Sequence, residues 1–291
     1  MVQLGKAANG STVINGFTLD DDSNDQRVNY GGAMVAWCWK AGGSPSTLAV
    51  GSISSGVPSI ASSVSAASHG GFSIITYTGN GSAGATIGHG LSKAAEFQMF
   101  RRRNTGNDFH VGTNITGSII GAELNNTTNS IGGGAVGAAV TAFNATTTAL
   151  AASGVVNDVD DTYVSYAFAR TPGFIGIGAY TGNGSANGPM VVVDDGASGF
   201  RPAWVMCKRI DSTGNWAIND SARSTYNPTN LPLFADQTAA DGSGINMDFI
   251  ANGFKIRDSS VTFNASGGTY IYLAFAEHPF GGDGVSQGKA R

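Results

Sequence analysis

One heptapeptide occurs twice without change: Tyr77-Thr-Gly-Asn-Gly-Ser-Ala83 returns as Tyr180-Thr-Gly-Asn-Gly-Ser-Ala186, each copy following a Gly-Phe pair, Gly71-Phe72 and Gly173-Phe174. Two further segments repeat in step with it. Thr105-Gly-Asn107 is answered by Thr213-Gly-Asn215, and Thr162-Tyr-Val-Ser-Tyr-Ala-Phe-Ala169 by Thr269-Tyr-Ile-Tyr-Leu-Ala-Phe-Ala276. The offsets are 103, 108 and 107 residues, close enough to constant to imply two copies of one unit, residues 71–173 and 174–280. A third, partial copy precedes them: Val13-Ile-Asn-Gly-Phe17 parallels Ile250-Ala-Asn-Gly-Phe254, and Gly31-Gly-Ala-Met-Val-Ala36 parallels Gly267-Gly-Thr-Tyr-Ile-Tyr272. The partial copy holds about the last third of a unit. Such a strand pair is marginal alone, so residues 13–40 are expected to extend a sheet in another module or in a neighbouring chain.

Each copy reads as strand after strand. Phe72-Ser-Ile-Ile-Thr-Tyr77 is an apolar run closed by Thr-Gly-Asn-Gly, whose Gly and Asn residues accept the positive φ of a tight turn. Trp204-Val-Met-Cys-Lys-Arg209, the turn Asp211-Ser-Thr-Gly-Asn215 and Trp216-Ala-Ile-Asn219 form a hairpin pattern. Tyr270 to Ala276 is rich in β-branched and aromatic residues and predicts a central strand. About a hundred residues per copy favours a sandwich over a barrel. The expected fold is all-β: two tandem antiparallel β-sandwich modules, jelly-roll or lectin-like, plus a partial N-terminal unit. Residues 1–70 would be that partial unit and a linker, the Ser/Gly/Ala-rich stretch from Ala41 to Gly70, with almost no charge, reading as a linker or long loop. Residues 281–291 form a C-terminal tail. No capped helical period is present, although the Ala-rich stretch from Ala135 to Ala152 could hold a turn or two of helix.

Composition narrows the partners. Charged residues make up 12% of the 291, about half the usual share, and the net charge is -4, so no basic footprint for nucleic acid exists. No run is long and apolar enough to span a membrane, and Met1 to Gly16 lacks the pattern of a secretory signal. Cys38 and Cys207 lie in apolar runs and read as buried thiols rather than a disulfide.

The chemistry-bearing residues are sparse. The four histidines, His69, His89, His110 and His278, have no metal-ligand spacing, and His89 in Gly88-His-Gly90 reads as an exposed loop residue. The single Gly-x-Ser-x-Gly pattern, Gly284 to Gly288, lies in the tail without room for the helix a nucleophile elbow needs. Three glutamates, Glu96, Glu123 and Glu277, give no paired-carboxylate signal, and the aspartates gather in loops (Asp20 to Asp25, Asp158 to Asp161, Asp194-Asp195). The first of these imitates the start of a calcium loop but lacks its glycine and closing glutamate. Arg101-Arg-Arg103 aligns with Lys208-Arg209 at a strand end, where alternation sends neighbours to opposite faces, so pairing with loop aspartates is expected. Catalytic residues, metal and cofactor are accordingly assigned as none. Trp216 and Tyr226, flanked by Asn215, Asn219 and Asn227, are candidate ligand contacts, with Arg201 and Arg223 as charged companions.

Val35-Ala-Trp-Cys-Trp-Lys-Ala-Gly-Gly43, Gly71-Phe-Ser-Ile-Ile-Thr-Tyr-Thr-Gly-Asn-Gly-Ser82, Gly199-Phe-Arg-Pro-Ala-Trp-Val-Met-Cys-Lys-Arg209, Asp220-Ser-Ala-Arg223, Asn252-Gly-Phe254 and Gly267 to Phe280 resemble a module that recurs in virion proteins of marine bacteriophages. The first copy departs from it, with Ala94-Ala-Glu-Phe97 where the second has Arg201-Pro-Ala-Trp204, so a site resting on Arg201 or Arg223 would exist once. The resemblance implies a non-enzymatic structural protein on the virion surface, a tail fibre or tail-associated component with lectin-like modules. Capsid decoration and attachment to host glycan are the alternatives, and other copies of itself and other virion proteins are the implied partners. It carries over no catalytic residue.

Overall fold

The structure, a computed structural model, describes residues 35–106, 108–127, 139–238, 244 and 246–279. The chain forms two compact units, Met1–Lys40 and Ala41–Arg291. Of the first, the described part is an irregular segment in which Trp37, Cys38 and Trp39 are half-buried. The repeat parallels at residues 13–17, most of those at 31–36, the Asp20–Asp25 cluster and the tail from 281 onward lie outside the described residues.

In the second unit, ten strands build the first sandwich: β1 (Ser46–Leu48), β2 (Ser62–Ala66), β3 (Phe72–Thr78), β4 (Thr86–Gly88), β5 (Phe97–Arg102), β6 (His110–Thr113), β7 (Ile120–Glu123), β8 (Val140–Phe143), β9 (Thr147–Leu150) and β10 (Thr162–Phe168). Eight more and one helical turn build the second: β11 (Ile175–Thr181), β12 (Met190–Val192), β13 (Pro202–Arg209), β14 (Trp216–Asp220), β15 (Leu233–Phe234), β16 (Met247–Ile250), β17 (Gly253–Ile256), α1 (Val261–Asn264) and β18 (Thr269–Ala276). The two copies share one topology. The large sheets run β3-β10-β5-β6-β7 and β11-β18-β13-β14-β15, the small ones β4-β9-β8 and β12-β17-β16. Their named strands pair antiparallel throughout. The fold is therefore all-β, as expected, with the closing strand of each copy central in its large sheet and the β13–β14 hairpin where the turn residues put it.

The first large sheet is two strands wider. β2 pairs with the edge of β3, Ser62 opposite Tyr77, and β1 pairs with β2. The stretch from Ala41 to Gly70 is thus part of a sheet and not a linker, a correction with a local cause. Polar and apolar positions alternate through Ser62-Ser-Val-Ser-Ala66, Val64 enters the core, and the Ser62 hydroxyl donates to the Gly88 carbonyl across the sandwich at 3.0 Å. Serine-rich composition hid a strand whose hydroxyls are satisfied by backbone. Gly42 supports the edge, since a Cβ there would lie 1.9 Å from the Ala66 carbonyl oxygen. The described part of the Ala-rich stretch likewise forms β8 and β9 rather than helix, because Thr147-Thr-Ala-Leu150 is buried and carries β-branched residues.

Each sandwich has its own core. Ile75, Tyr77, Phe100 and Tyr163 lead the first, with Ile87 and Leu150 from the small sheet. Tyr180, Cys207, Tyr270 and Tyr272 lead the second, with Phe249 and Phe254 opposite. Alternation sends the other set of side chains to the far face of each large sheet, and there the two copies meet. Phe168 of β10 packs against Phe275 of β18 at 5.8 Å between ring centroids, and Phe97 of β5 meets Trp216 of β14 edge-on at 6.2 Å. Phe72 stacks on Phe168 at 4.9 Å, and Trp204 tilts onto Phe275 at 5.4 Å. The order through the second unit is small sheet, large sheet, large sheet, small sheet. Burial on both faces is why β18 reads as a nearly continuous apolar run.

Candidate functional site

The repeated heptapeptide is the natural first candidate for a site, and its polar groups turn inward. In the second copy the side chain of Asn264, fully buried, accepts from the Asn183 amide at 2.7 Å. It donates to Ser185 O at 2.7 Å, to Asp258 O at 2.9 Å and to Asn183 Oδ1 at 3.0 Å. In the first copy Asn157, equally buried, accepts from the Asn80 amide at 2.9 Å and donates to Ser82 O at 2.9 Å. The Gly81 and Gly184 amides close both loops by donating to Asn157 O and Asn264 O at 3.0 and 2.9 Å. Gly79 and Gly182 are required for close approach, a Cβ falling 2.2 and 2.3 Å from the Asp158 and Ala265 carbonyl oxygens. Beneath each loop two tyrosines stack, Tyr77 on Tyr163 at 5.2 Å and Tyr180 on Tyr270 at 5.0 Å. The Tyr77 and Tyr180 hydroxyls donate to Val156 O and Phe263 O. Burial drives both phenols well above their ordinary pKa, holding them neutral as donors. The motif recurs because it is a lock that fastens the strand end to the crossing loop.

The loop carboxylates and strand-end cations are also committed to the fold. Asp195, buried, accepts from the amides of Gly173, Ala197 and Gly199 at 2.8, 2.8 and 3.1 Å. Arg102 pairs with Asp161, and Arg209 with Asp211 at 2.9 Å, a contact that lowers the Asp211 pKa. Arg101, on the opposite face, lies 4.9 Å over the Phe109 ring. The expected pairing with loop aspartates holds for Arg102 and Arg209, whereas Arg101 goes to the Phe109 ring and Lys208 to backbone carbonyls. At the junction of the copies Arg170 bridges Glu96 and Asp194. Among the described residues no group of three or more His, Cys, Asp or Glu could hold a metal ion. His89, expected in an exposed loop, is fully buried: its Nδ1 accepts from the Leu91 amide at 3.1 Å, and burial lowers its pKa.

The four candidate ligand contacts divide. Trp216 is 1% exposed, with its indole N–H donating to Glu123 O of the first copy at 2.7 Å. A side chain sealed between two sheets cannot meet a ligand, so Trp216 is an interface residue. Its position beside polar turn residues had suggested a surface, but the covering sheet comes from the other copy. Beneath it lies Lys208, which is also fully buried. Its ammonium sits 5.8 Å from the indole and donates to Gly214 O and, across the interface, to Thr127 O at 2.9 Å. Burial pulls its pKa down to about 8.

The other three gather at the opposite end of the β13–β14 hairpin, where Trp204 faces Asp220. Arg201 leads into β13, pairs with Glu277 and points its Nε at Phe249 O, 3.4 Å away. Asn227 binds the same residue, donating to Phe249 O and accepting from Phe249 N, each at 2.9 Å. Arg223 folds back on Asp220 at 2.7 Å, both nearly buried. Ser224 and Asn230 brace the loop: the Asn230 amide donates to Ser224 Oγ at 3.1 Å. From this braced loop Tyr226 projects with 86% of its surface exposed. The loop thus offers an exposed aromatic face at Tyr226, and its neighbour Asn227 shares the Phe249 carbonyl with Arg201, whose pair with Glu277 has side chains 37% and 29% exposed. That combination can stack on one face of a polyhydroxylated ring while presenting planar donors and acceptors to its hydroxyls.

Sequence reasoning missed Asn157 and Asn264, and it read Asp195 as a loop carboxylate and Lys208 as a strand-end cation when both are buried. The two asparagines carry a usable signal, being separated by 107 residues, the offset of the closing strands, while their neighbours differ. Lys208 offered none, since its burial depends on the other copy.

No curated protein and no solved structure matches the chain. One family profile matches residues 5–279, a span that takes in the partial copy and both complete copies. Covering nearly the whole chain, that match shows that it belongs to the family described as Domain of unknown function (DUF7483).

Proposed function

We propose that this chain is a structural component of a bacteriophage particle, a tail-fibre or tail-associated protein displayed on the virion surface, with no catalytic role. The observation that carries the reading is the joining of the two sandwiches through Phe97, Phe168, Trp216 and Phe275 into one four-layer block. Two modules with separate ligand duties would gain from a hinge, whereas this aromatic seam makes a stiff spacer. The resemblance of Gly71 to Ser82 and Gly199 to Arg209 to modules of phage virion proteins points the same way. Other copies of the chain and neighbouring virion proteins are its partners in this reading. Immunogold labelling of purified particles with antibodies to the recombinant chain tests it. Label along the tail supports the proposal, label over the shell replaces it with capsid decoration, and particles free of the chain by mass spectrometry end it.

A second reading rests on Tyr226. An aromatic side chain so exposed on a loop that Asn227 ties to the same Phe249 carbonyl as Arg201 suits a saccharide, and attachment to host glycan would add to a structural role. A glycan array probed with the assembled protein and with Tyr226→Ala tests it. Binding by the parent and none by the variant supports the site, and no binding by either removes it.

A further inference from the structure

The loop after β11 carries two Asn-Gly pairs four residues apart, and the fold treats them in opposite ways. An asparagine followed by glycine loses ammonia when the glycine amide nitrogen attacks the side-chain carbonyl carbon. A new N–C bond closes a succinimide as the C–NH2 bond breaks, and water then opens the ring to aspartate or isoaspartate. The reaction needs a mobile carboxamide and an amide nitrogen free to act as nucleophile.

At Asn183-Gly184 neither is available. Asn183 Oδ1 accepts from the Ser185 amide at 2.9 Å and from Asn264 Nδ2 at 3.0 Å, and its Nδ2 donates to Asn187 O at 3.1 Å. The Gly184 amide donates to Asn264 O at 2.9 Å. Asn80-Gly81 of the first copy is held likewise, Asn80 Oδ1 accepting from Ser82 N at 3.0 Å and Gly81 N donating to Asn157 O at 3.0 Å. At Asn187-Gly188, among the described residues, neither the carboxamide nor the Gly188 amide has a hydrogen-bond partner, and Asn187 is exposed. The Lys255 ammonium donates to Gly188 O at 2.8 Å, which places a cation one peptide away from the reacting bond. A cation there favours the anionic addition intermediate and afterwards the new carboxylate.

We infer that Asn187 is a site of spontaneous deamidation in the folded protein, and that the same buried asparagines that lock the repeated motif protect Asn80 and Asn183 from it. Ageing of the native protein therefore adds negative charge at Asn187 and leaves the two copies of the repeated motif unchanged. Freeing a nucleophile from one net hydrogen bond of about 1 kcal/mol slows a reaction about fivefold, so Asn187 should outpace the two tethered sites by at least that factor.

The test is peptide mapping of the full chain held at mildly alkaline pH, folded and in urea. The tryptic peptide from Thr171 to Lys208, uncut at Arg201 because Pro202 follows, contains both asparagines, and fragmentation separates them. Conversion at Asn187 with Asn80 and Asn183 intact in the folded protein, and conversion at all three in urea, supports the inference. Folded protein in which Asn183 or Asn80 reacts as fast as Asn187, or in which Asn187 stays intact, overturns it. Lys255→Gln should slow the folded reaction, and an unchanged rate overturns the part given to the ammonium.

Discussion

Replacing Asn264 by alanine removes one acceptor and two N–H donors from a site with no solvent to replace them. The Asn183 amide and the Ser185 and Asp258 carbonyls lose partners made at 2.7, 2.7 and 2.9 Å. At about 1 kcal/mol net for each, the loss is about 3 kcal/mol. At the scale expected for a unit of this size, that lowers Tm by roughly 6 to 12 °C. Asn157→Ala in the first copy should cost less, about 2 kcal/mol, because Asn157 makes the equivalent bonds to Asn80 and Ser82 and has no counterpart of the Asp258 bond. Thermal and urea unfolding followed by circular dichroism measure both, with Asn264→Asp as an intermediate case that keeps the acceptor. The lock reasoning is refuted if Asn264→Ala melts with the parent protein.

Lys208 gives a pH prediction of unusual sign. Its folded pKa is depressed to about 8 from 10.5, so between those values the unfolded chain binds the extra proton and stability rises with pH, by at most about 3 kcal/mol. Above about 9 the rise is offset, because the buried Cys207 thiol, at about 12, stays protonated in the fold while the unfolded thiol ionises, and above about 10 the buried tyrosines, Tyr272 among them at about 12, reverse it in the same way. Urea midpoints from pH 7 to 11 should trace a maximum, and Lys208→Met should flatten the rising side. Cys207 is fully buried and its thiol is pushed up to about 12, so a thiol reagent should label Cys38 alone in native protein and both free cysteines in urea. Trp216→Ala should destabilise by about 3 to 5 kcal/mol, whereas Tyr226→Ala should stay within about 0.5 kcal/mol in the same unfolding assay.

Much of the fold was legible because duplication doubles every signal. Strand β3 could be named from its apolar run and closing turn, and its counterpart β11 in the second copy from the repeated motif. What escaped reading was anything determined by the partner layer. Trp216 and Tyr226 look alike in sequence, each an aromatic residue among asparagines, yet one is sealed against Glu123 and the other stands in solvent. Only the stacking of the two copies distinguishes them. β2 was missed for a different reason: three of its five residues are serines, the Ser62 and Ser65 hydroxyls are satisfied by backbone carbonyls, and the alternation rests on Val64 and Ala66 alone. Of the site residues, Arg201 and the Tyr226 loop are linked through Phe249, to which Asn227 is tied, while Arg223 is folded back on Asp220.

The aromatic seam between the copies bears on how such a chain can arise and be cut. An isolated single copy would show Phe72, Phe97 and Phe168, or Trp204, Trp216 and Phe275, to water, an oily wall of the kind that draws proteins into self-association. Tandem fusion places the answering wall at a high effective concentration on the same polypeptide. A gene trimmed to one copy would then encode a sticky half that pairs with its own kind, and the doubled gene encodes its own mate.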